Sequence, residues 1–425
     1  MIKPELLAPA GNLKKLKYAL TFGADAVYCG LPNFSLRYRI NNFNYKDLAE
    51  GVEFAHKLRK KIYVTINIFP HKNHLNILGE HIEKLKPIKP DALIVSDPGI
   101  LSYIKTEWPE AEIHLSTQAN CTNWRSAKFW YDQGVTRVIL AREATLEDIQ
   151  EIHKKVPEVE LETFVHGAMC MAYSGRCILS KWFTDRSANL GDCSQPCRWK
   201  YNLKSEISNQ ETVIGNKKQI VLEESQRKGN YFPIEEDENG TYIMNSKDLC
   251  LIKQLKELQE AGIVSFKIEG RAKSIYYLGN TLHAYREAID NPKTNTDNLF
   301  DELNKAPNRG FTTGFIFGEE TVEHRFESSQ EPMTWEFCGE VIDYDSTDNA
   351  ETKLLKLLVH NTIKVGDTIE LVVPRQTNTS ITIDKLYDHD MKEITDAHGG
   401  QDTIVFTPSD LILPEKTLLR RKIEK

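Results

Sequence analysis

Five of the eight cysteines of this chain, Cys170, Cys177, Cys193, Cys197 and Cys250, fall in one segment, the first four within 28 residues. Thiolates gathered at one place repel one another and need a cation, which points to zinc or to iron with sulfide. The spacing matches neither standard pattern. Zinc knuckles pair cysteines two to four residues apart on both sides of the ion, and the Cys170/Cys177 pair is wider than that. The ferredoxin runs differ as well. Irregular spacing suits a site whose ligands are positioned by a whole fold, so an iron-sulfur cluster, structural zinc and unrelated buried thiols all remain open on spacing. Cys29, Cys121 and Cys338 stand alone and read as small apolar packing residues.

The elements that would position these thiols are legible as apolar runs separated by amphipathic stretches. The runs are ELLAPAG from Glu5, DAVYCG from Asp25, KIYVTIN from Lys61, DALIVSD from Asp91, EIHLSTQ from Glu112, TRVILAR from Thr136, VELETFVHG from Val159 and VSFKIEG from Val264. Alternation with helical patterns such as NLKKLKYALTFG and LEDIQEIHKKV calls for a parallel sheet with crossover helices, hence an α/β protein. Eight runs favour a closed, TIM-like (β/α)8 barrel over an open sheet. Polar residues stand where the runs stop: Asn67, Ser96, Asp97, Ser116 to Gln118, Arg142, Glu143, His166, Lys267, Glu269 and Arg271. In a barrel these ends share one rim, the face where such folds build active sites.

The seventh loop is oversized: about a hundred residues separate His166 from Val264, where one turn and one helix would suffice. This insertion, from about residue 167 to 250, carries the five clustered cysteines and a β-leaning section whose Asn239-Gly240 pair is a hairpin turn signal. After about Ser329 short alternating strands replace the helical pattern. The expected organisation is a barrel domain over 1–328 and a small C-terminal antiparallel β-barrel over 329–425.

An apolar fraction of 40% and a charged fraction of 27% belong to an ordinary globular protein and exclude collagen-like or disordered classes. The start MIKPELLAPAG has no signal-peptide pattern and no run is long enough for a membrane helix, so a cytoplasmic protein with reduced thiols is expected. A formal charge of -7 speaks against a wholly basic nucleic-acid binder but not against a local basic patch.

The stretch ETFVHGAMCMAYSGRCILS resembles the signature of peptidase family U32, the collagenase-like proteases. The likeness continues through RSANLGDCSQPCRWKY, TYIMNSKDLC and FKIEGRAKSIYY, begins as early as ELLAPAGN and GADAVYCG, and covers nearly the whole chain. Within the family it is most similar to the branch that hydroxylates the wobble uridine of tRNA to 5-hydroxyuridine without molecular oxygen, using prephenate. The resemblance implies a barrel, a [4Fe-4S] cluster and tRNA as partner. It also implies Cys170, Cys177 and Cys193 as cluster ligands, with the fourth at Cys250 or at its rival Cys197. Cys250 is favoured because it lies where the insertion rejoins the barrel.

Prephenate, a small dicarboxylate, would need fixed cations. Arg142, Arg198 and Arg271 are the candidates, against ordinary ion pairing with Glu143, Asp192 and Glu269. His166 could shuttle a proton or donate to a cluster sulfur, or simply cap its strand. Arg37 and Arg39, with Phe34 and Tyr38, could meet a phosphate and an unstacked base, or pack. The C-terminal domain could grip RNA or form an oligomer contact. Competing functions are a cysteine peptidase using Cys170 with His166, hydroxylation of ribosomal RNA or a quinone precursor, and a non-catalytic metal-binding RNA adaptor.

Overall fold

The computed structural model describes residues 3–36, 43–170, 172–199, 246–318, 331–345, 354–400 and 402–423, with short pieces between 201 and 241. All eight apolar runs form strands: β1 (Glu5–Pro9), β2 (Ala26–Gly30), β3 (Lys61–Ile66), β4 (Ala92–Val95), β5 (Ile113–Leu115), β6 (Arg137–Ile139), β7 (Glu160–Ala168) and β8 (Ile263–Ile268). Each pairs in parallel with the next, and β8 pairs with both β7 and β1, which closes the barrel. The crossover helices begin where a short polar side chain satisfies a free backbone N–H. Asn12, Asn44, Asp97, Asn123 and Ser274 do this singly, and Thr145 does it in a capping box with Asp148. Among the described residues no helix is long and apolar enough to cross a membrane.

The barrel interior is not purely apolar. Glu5 accepts hydrogen bonds from Tyr63 (2.7 Å), Ser265 (2.9 Å) and Arg137 (2.7 Å). Arg137 also donates to Glu160 and Glu162, and Glu162 accepts from Lys267 Nζ at 2.7 Å. Glu162 is fully buried, and burial alone would raise its carboxyl; the Lys267 and Arg137 cations overcome this and hold it below the ordinary carboxylate range. The network balances buried charges against one another and ends at Lys267, whose amine lies 4.4 Å from the Tyr28 ring centroid at the upper end of the barrel.

A short strand, Asp248–Cys250, runs antiparallel to the end of β7 and parallel to Phe311–Thr312, so the insertion returns beside the strand it left. Within the insertion Glu236–Asp237 pairs antiparallel with Gly240–Thr241, so Gly240 is part of a strand, and Asn239 of the expected turn pair lies outside the described residues.

The C-terminal strands build an eight-stranded antiparallel sheet from Trp335–Asp345 to Leu418–Lys422, with Thr379–Thr382 and Glu393–Ile394 at its two edges. Among the described residues those edges do not pair with each other, so this is a half-barrel where the alternation predicts a closed one. Its core includes Val341, Leu357, Leu371 and Leu419. The face of the sheet opposite its own core docks on the first domain: Val372 and Leu418 join the barrel's core cluster, and Phe337 stacks on Tyr276 at 5.3 Å. Fully buried Arg420 reaches Asn280 (2.7 Å) and Glu302 (2.5 Å) on the barrel side and Glu370 (3.0 Å) on its own sheet.

Candidate functional site

At the C-terminal mouth of the barrel lies a cavity of about 160 Å³. Its walls come from the strand ends of the barrel and from the insertion, which covers it. Tyr28, Thr65, Ile94, Phe164 and Lys267 line it from the barrel, Arg142, Glu143, Glu269 and Arg271 from the rim. The insertion contributes Cys170, Cys177, Cys193 and Cys197.

The cations are held in place. Arg271 donates from Nη1 to Ser35 Oγ (2.6 Å) and Thr65 Oγ1 (3.3 Å), and from Nη2 to the carbonyl of Leu36 (2.9 Å). The guanidinium of Arg142 lies 4.0 Å from the Phe164 ring centroid, and its Nη2 approaches Glu269 at 3.8 Å. Lys267, packed against Tyr28 and Phe164, has its ammonium disfavoured by burial and is held below the usual lysine range despite Glu162. Three fixed cations around an apolar-walled cavity suit a small anionic molecule.

The insertion is tied to the rim at several points. Ser174 donates its N–H to Glu143 Oε1 (2.8 Å), and its hydroxyl accepts from the Arg142 N–H (3.4 Å). The N–H of Phe69, beyond β3, donates to the carbonyl of Asn189 (3.1 Å). Gly175 has φ +75, and a Cβ there would sit 2.4 Å from the Gln118 carbonyl oxygen, so only glycine lets the loop approach β5's exit this closely. Ser180, Thr184 and Ser194 share hydroxyl contacts of 2.8 and 2.9 Å that fasten the helix Leu179–Thr184 to the segment carrying Cys193 and Cys197.

Burial holds the Cys177 thiol above its ordinary range although the backbone N–H groups of Leu179 and Ser180 favour its thiolate, and Cys170 and Cys193 add to the rise. Around one tetrahedral zinc the sulfurs would stand about 3.8 Å apart, given a Zn–S bond near 2.3 Å. Among the described residues only Asp388, His389 and Asp390 bring three ligand atoms within 4.8 Å of one another, so no three of the described cysteines are gathered that closely. Four cysteines on one cavity wall are the donor type that an iron-sulfur group takes.

Cys250, the favoured fourth ligand from sequence, is not in the cavity wall; its rival Cys197 is. Cys250 is 4% exposed, with Sγ 3.8 Å from Tyr285 Oη, and burial pushes its thiol up to about 11. His166 is likewise outside the wall. A register shift between Lys267↔Phe164 and Ile268↔His166 places an extra residue in β7 and turns His166 away from the barrel interior. Its ring is enclosed by Tyr277, Tyr285 and Phe311, and burial lowers its imidazole to about 4. Phe34 is buried and stacks on His81 at 4.3 Å, which makes it a packing residue. Arg37, Tyr38 and Arg39 lie outside the described residues, as does the side chain of Arg198. Sequence reasoning put Lys267 on the rim without giving it a role and left out Tyr28; Lys267 shares its strand face with Ser265, which faces the barrel interior.

Residues 11–326 match Peptidase family U32, and residues 333–420 match the Peptidase family U32 C-terminal domain. The chain is 41% identical over 450 residues to the tRNA hydroxylation protein P of Escherichia coli (strain K12), covering 99% of this chain and 97% of that one. It is 37% identical over 428 residues to the tRNA hydroxylation protein P1 of Bacillus subtilis (strain 168), covering 99% and 95%. The 23S rRNA 5-hydroxycytidine C2501 synthase of Escherichia coli (strain K12) is 39% identical over 286 residues, covering 67% of this chain and 39% of that one. With a family match over most of its length and relatives this similar from end to end, the chain belongs to peptidase family U32.

Proposed function

We infer that the protein is a tRNA hydroxylase. In its finer form the reading is oxygen-independent conversion of the wobble uridine to 5-hydroxyuridine, with prephenate as co-substrate and a [4Fe-4S] cluster, in the cytoplasm. The observation that carries it is the convergence of four insertion cysteines and three fixed cations on one cavity, in a chain this similar to proteins named for tRNA hydroxylation.

Cys170, Cys177, Cys193 and Cys197 would hold the cluster. Bound there, it supplies iron able to act as a Lewis acid or to pass an electron. The remaining roles belong to the chain. Arg142 and Arg271 bind the two carboxylates of the co-substrate: each guanidinium is already oriented, by Phe164 and Glu269 in one case and by Ser35, Thr65 and Leu36 in the other, so little side-chain freedom is lost on binding. Lys267 lines the same cavity with its amine bonded to Glu162. The insertion keeps bulk water from these groups, which strengthens their pull on an anion. His166 supports the wall from behind through Tyr285 and acts by packing, since its imidazole is enclosed and stays neutral. The same enclosure argues against a peptidase in which His166 activates Cys170, because a nucleophilic thiol needs its base within hydrogen-bond reach.

The test is nucleoside mass spectrometry of tRNA from cells with and without the gene, joined to reconstitution of anaerobically prepared protein with tRNA and prephenate. Loss of 5-hydroxyuridine derivatives in the deletion and their formation in vitro are expected. Unchanged tRNA in a deletion strain lacking any second family member, or loss of a hydroxylated nucleoside from ribosomal RNA alone, overturns the reading.

A further inference from the structure

An exposed apolar face flanks the cavity mouth. Tyr173 is 59% exposed, Ile178 70% and Trp182 78%, all on the insertion between the first two cysteines and the helix that follows. The segment that carries the face also lines the cavity, through Tyr173, Cys177 and Leu179. Large side chains left in water are common singly, but three on one short segment beside a cavity mark a binding surface.

The presentation is built into the fold. Tyr173 precedes Ser174, buried and bonded to Glu143, and Gly175, pressed against Gln118, so the loop cannot retract the ring without breaking its ties to the rim. Trp182 projects from the helix whose opposite side is fastened through Ser180 and Thr184 to Ser194. The helix ends at Asp185 in the left-handed conformation, which fixes its length.

Charge selects the partner. Residues 172–199 carry Arg176, Lys181, Arg186 and Arg198 against Asp185 and Asp192, a net positive segment in a chain of formal charge -7. Lys181 and Arg186 are paired with Asp185 and Asp192, whereas among the described residues no carboxylate pairs with exposed Arg176. Flat aromatic faces interleaved with cations match unstacked bases and their phosphates, since every base has a π-face and every linkage a negative charge.

We propose that this face is a stacking platform for the unpaired nucleotides that flank the target base of the tRNA. Trp182 and Tyr173 supply the ring faces, and Arg176 supplies a phosphate contact. The proposal rests on the tRNA reading above and adds to it the surface that holds the loop once the target base has entered the cavity.

The test uses the full-length protein, prepared anaerobically, and a fluorescently labelled anticodon stem-loop RNA. Trp182→Ala should weaken binding roughly five- to hundred-fold, the range of one lost base stack, while Trp182→Phe stays within about three-fold of the parent. Arg176→Gln should lower the slope of log affinity against log salt by about 0.7, one single-strand phosphate contact. Iron content and thermal midpoint should not move in any of the three. Parental affinity in Trp182→Ala overturns the platform, and if the parent hydroxylates tRNA meanwhile, the functional reading stands without it. A change in sedimentation mass on Trp182→Ala also overturns it, identifying the face as a contact between copies of the chain. A parent protein that binds no RNA overturns both.

Discussion

Serine substitution at Cys197 and at Cys250 separates the cavity geometry from the sequence spacing as guides to the fourth cluster ligand. Cys250 is 4% exposed, its thiol is kept neutral by burial, and its Sγ lies 3.8 Å from Tyr285 Oη. Cys250→Ser therefore exchanges a small hydrophobe for a hydroxyl in an interior that offers the Tyr285 hydroxyl and the Ile252 N–H as partners. The expected cost is about 1–3 kcal/mol, at the lower end if Tyr285 is engaged, and a few degrees in thermal midpoint. Iron and sulfide per chain should stay at the parental value. Cys197→Ser leaves three cysteines on the cavity, where a serine hydroxyl is a far poorer donor to iron than a thiolate. Iron should fall to well below the parental content while stability of the metal-free protein changes by less than about 0.5 kcal/mol, because Cys197 is only half-buried. The assays are iron and sulfide quantification on anaerobic protein, the visible absorption band, and thermal denaturation of the metal-free forms. Colourless Cys250→Ser that is otherwise folded, beside iron-replete Cys197→Ser, would refute the argument from cavity placement.

Three further outcomes are expected. Arg420→Ala leaves Glu302 and Glu370 to Lys305 alone and removes the buried bond to Asn280; it should cost about 1–3 kcal/mol, read as earlier thermal unfolding and faster proteolysis between the two domains. His81 stacks on Phe34 and bonds Tyr45, and burial lowers its imidazole to about 4. Its folded value lies below the unfolded one, so its contribution is present above about pH 6.5 and is lost as pH falls towards 4; denaturant titrations should show His81→Gln with a shallower acid slope, by up to about 1.4 kcal/mol per pH unit. Gly175→Ala should cost about 1–3 kcal/mol in denaturant unfolding and weaken stem-loop binding, because the added Cβ meets the Gln118 carbonyl and displaces Tyr173; unchanged binding would show that the loop's seat does not matter.

Each of the eight apolar runs is a barrel strand, and the helix starts follow from asparagine, aspartate, serine and threonine at the caps. These features are legible because they are local: periodicity reports which side of an element avoids water, and a cap joins residues three apart. The mouth of the barrel is legible for the same reason, since parallel strands must all end on one rim, which is why Arg142, Arg271 and four cysteines could be nominated together.

What the tertiary structure alone decided lies in pairings between distant segments. The antiparallel match of Asp248–Cys250 with β7 buries Cys250 behind the wall and leaves Cys197 at the cavity. A bulge one residue long in β7 turns His166 from the site towards Tyr285, although its spacing from Phe164 promises the same face. Glu5, Arg137, Glu162 and Lys267 become one network only when the barrel closes, and the C-terminal sheet docks on the first domain through Val372 and Leu418, whose strand neighbours Leu371 and Leu419 face its own core. Side chains alternate across a strand, so a single-residue change of register exchanges inside for outside; sequence composition carries the alternation but not the register.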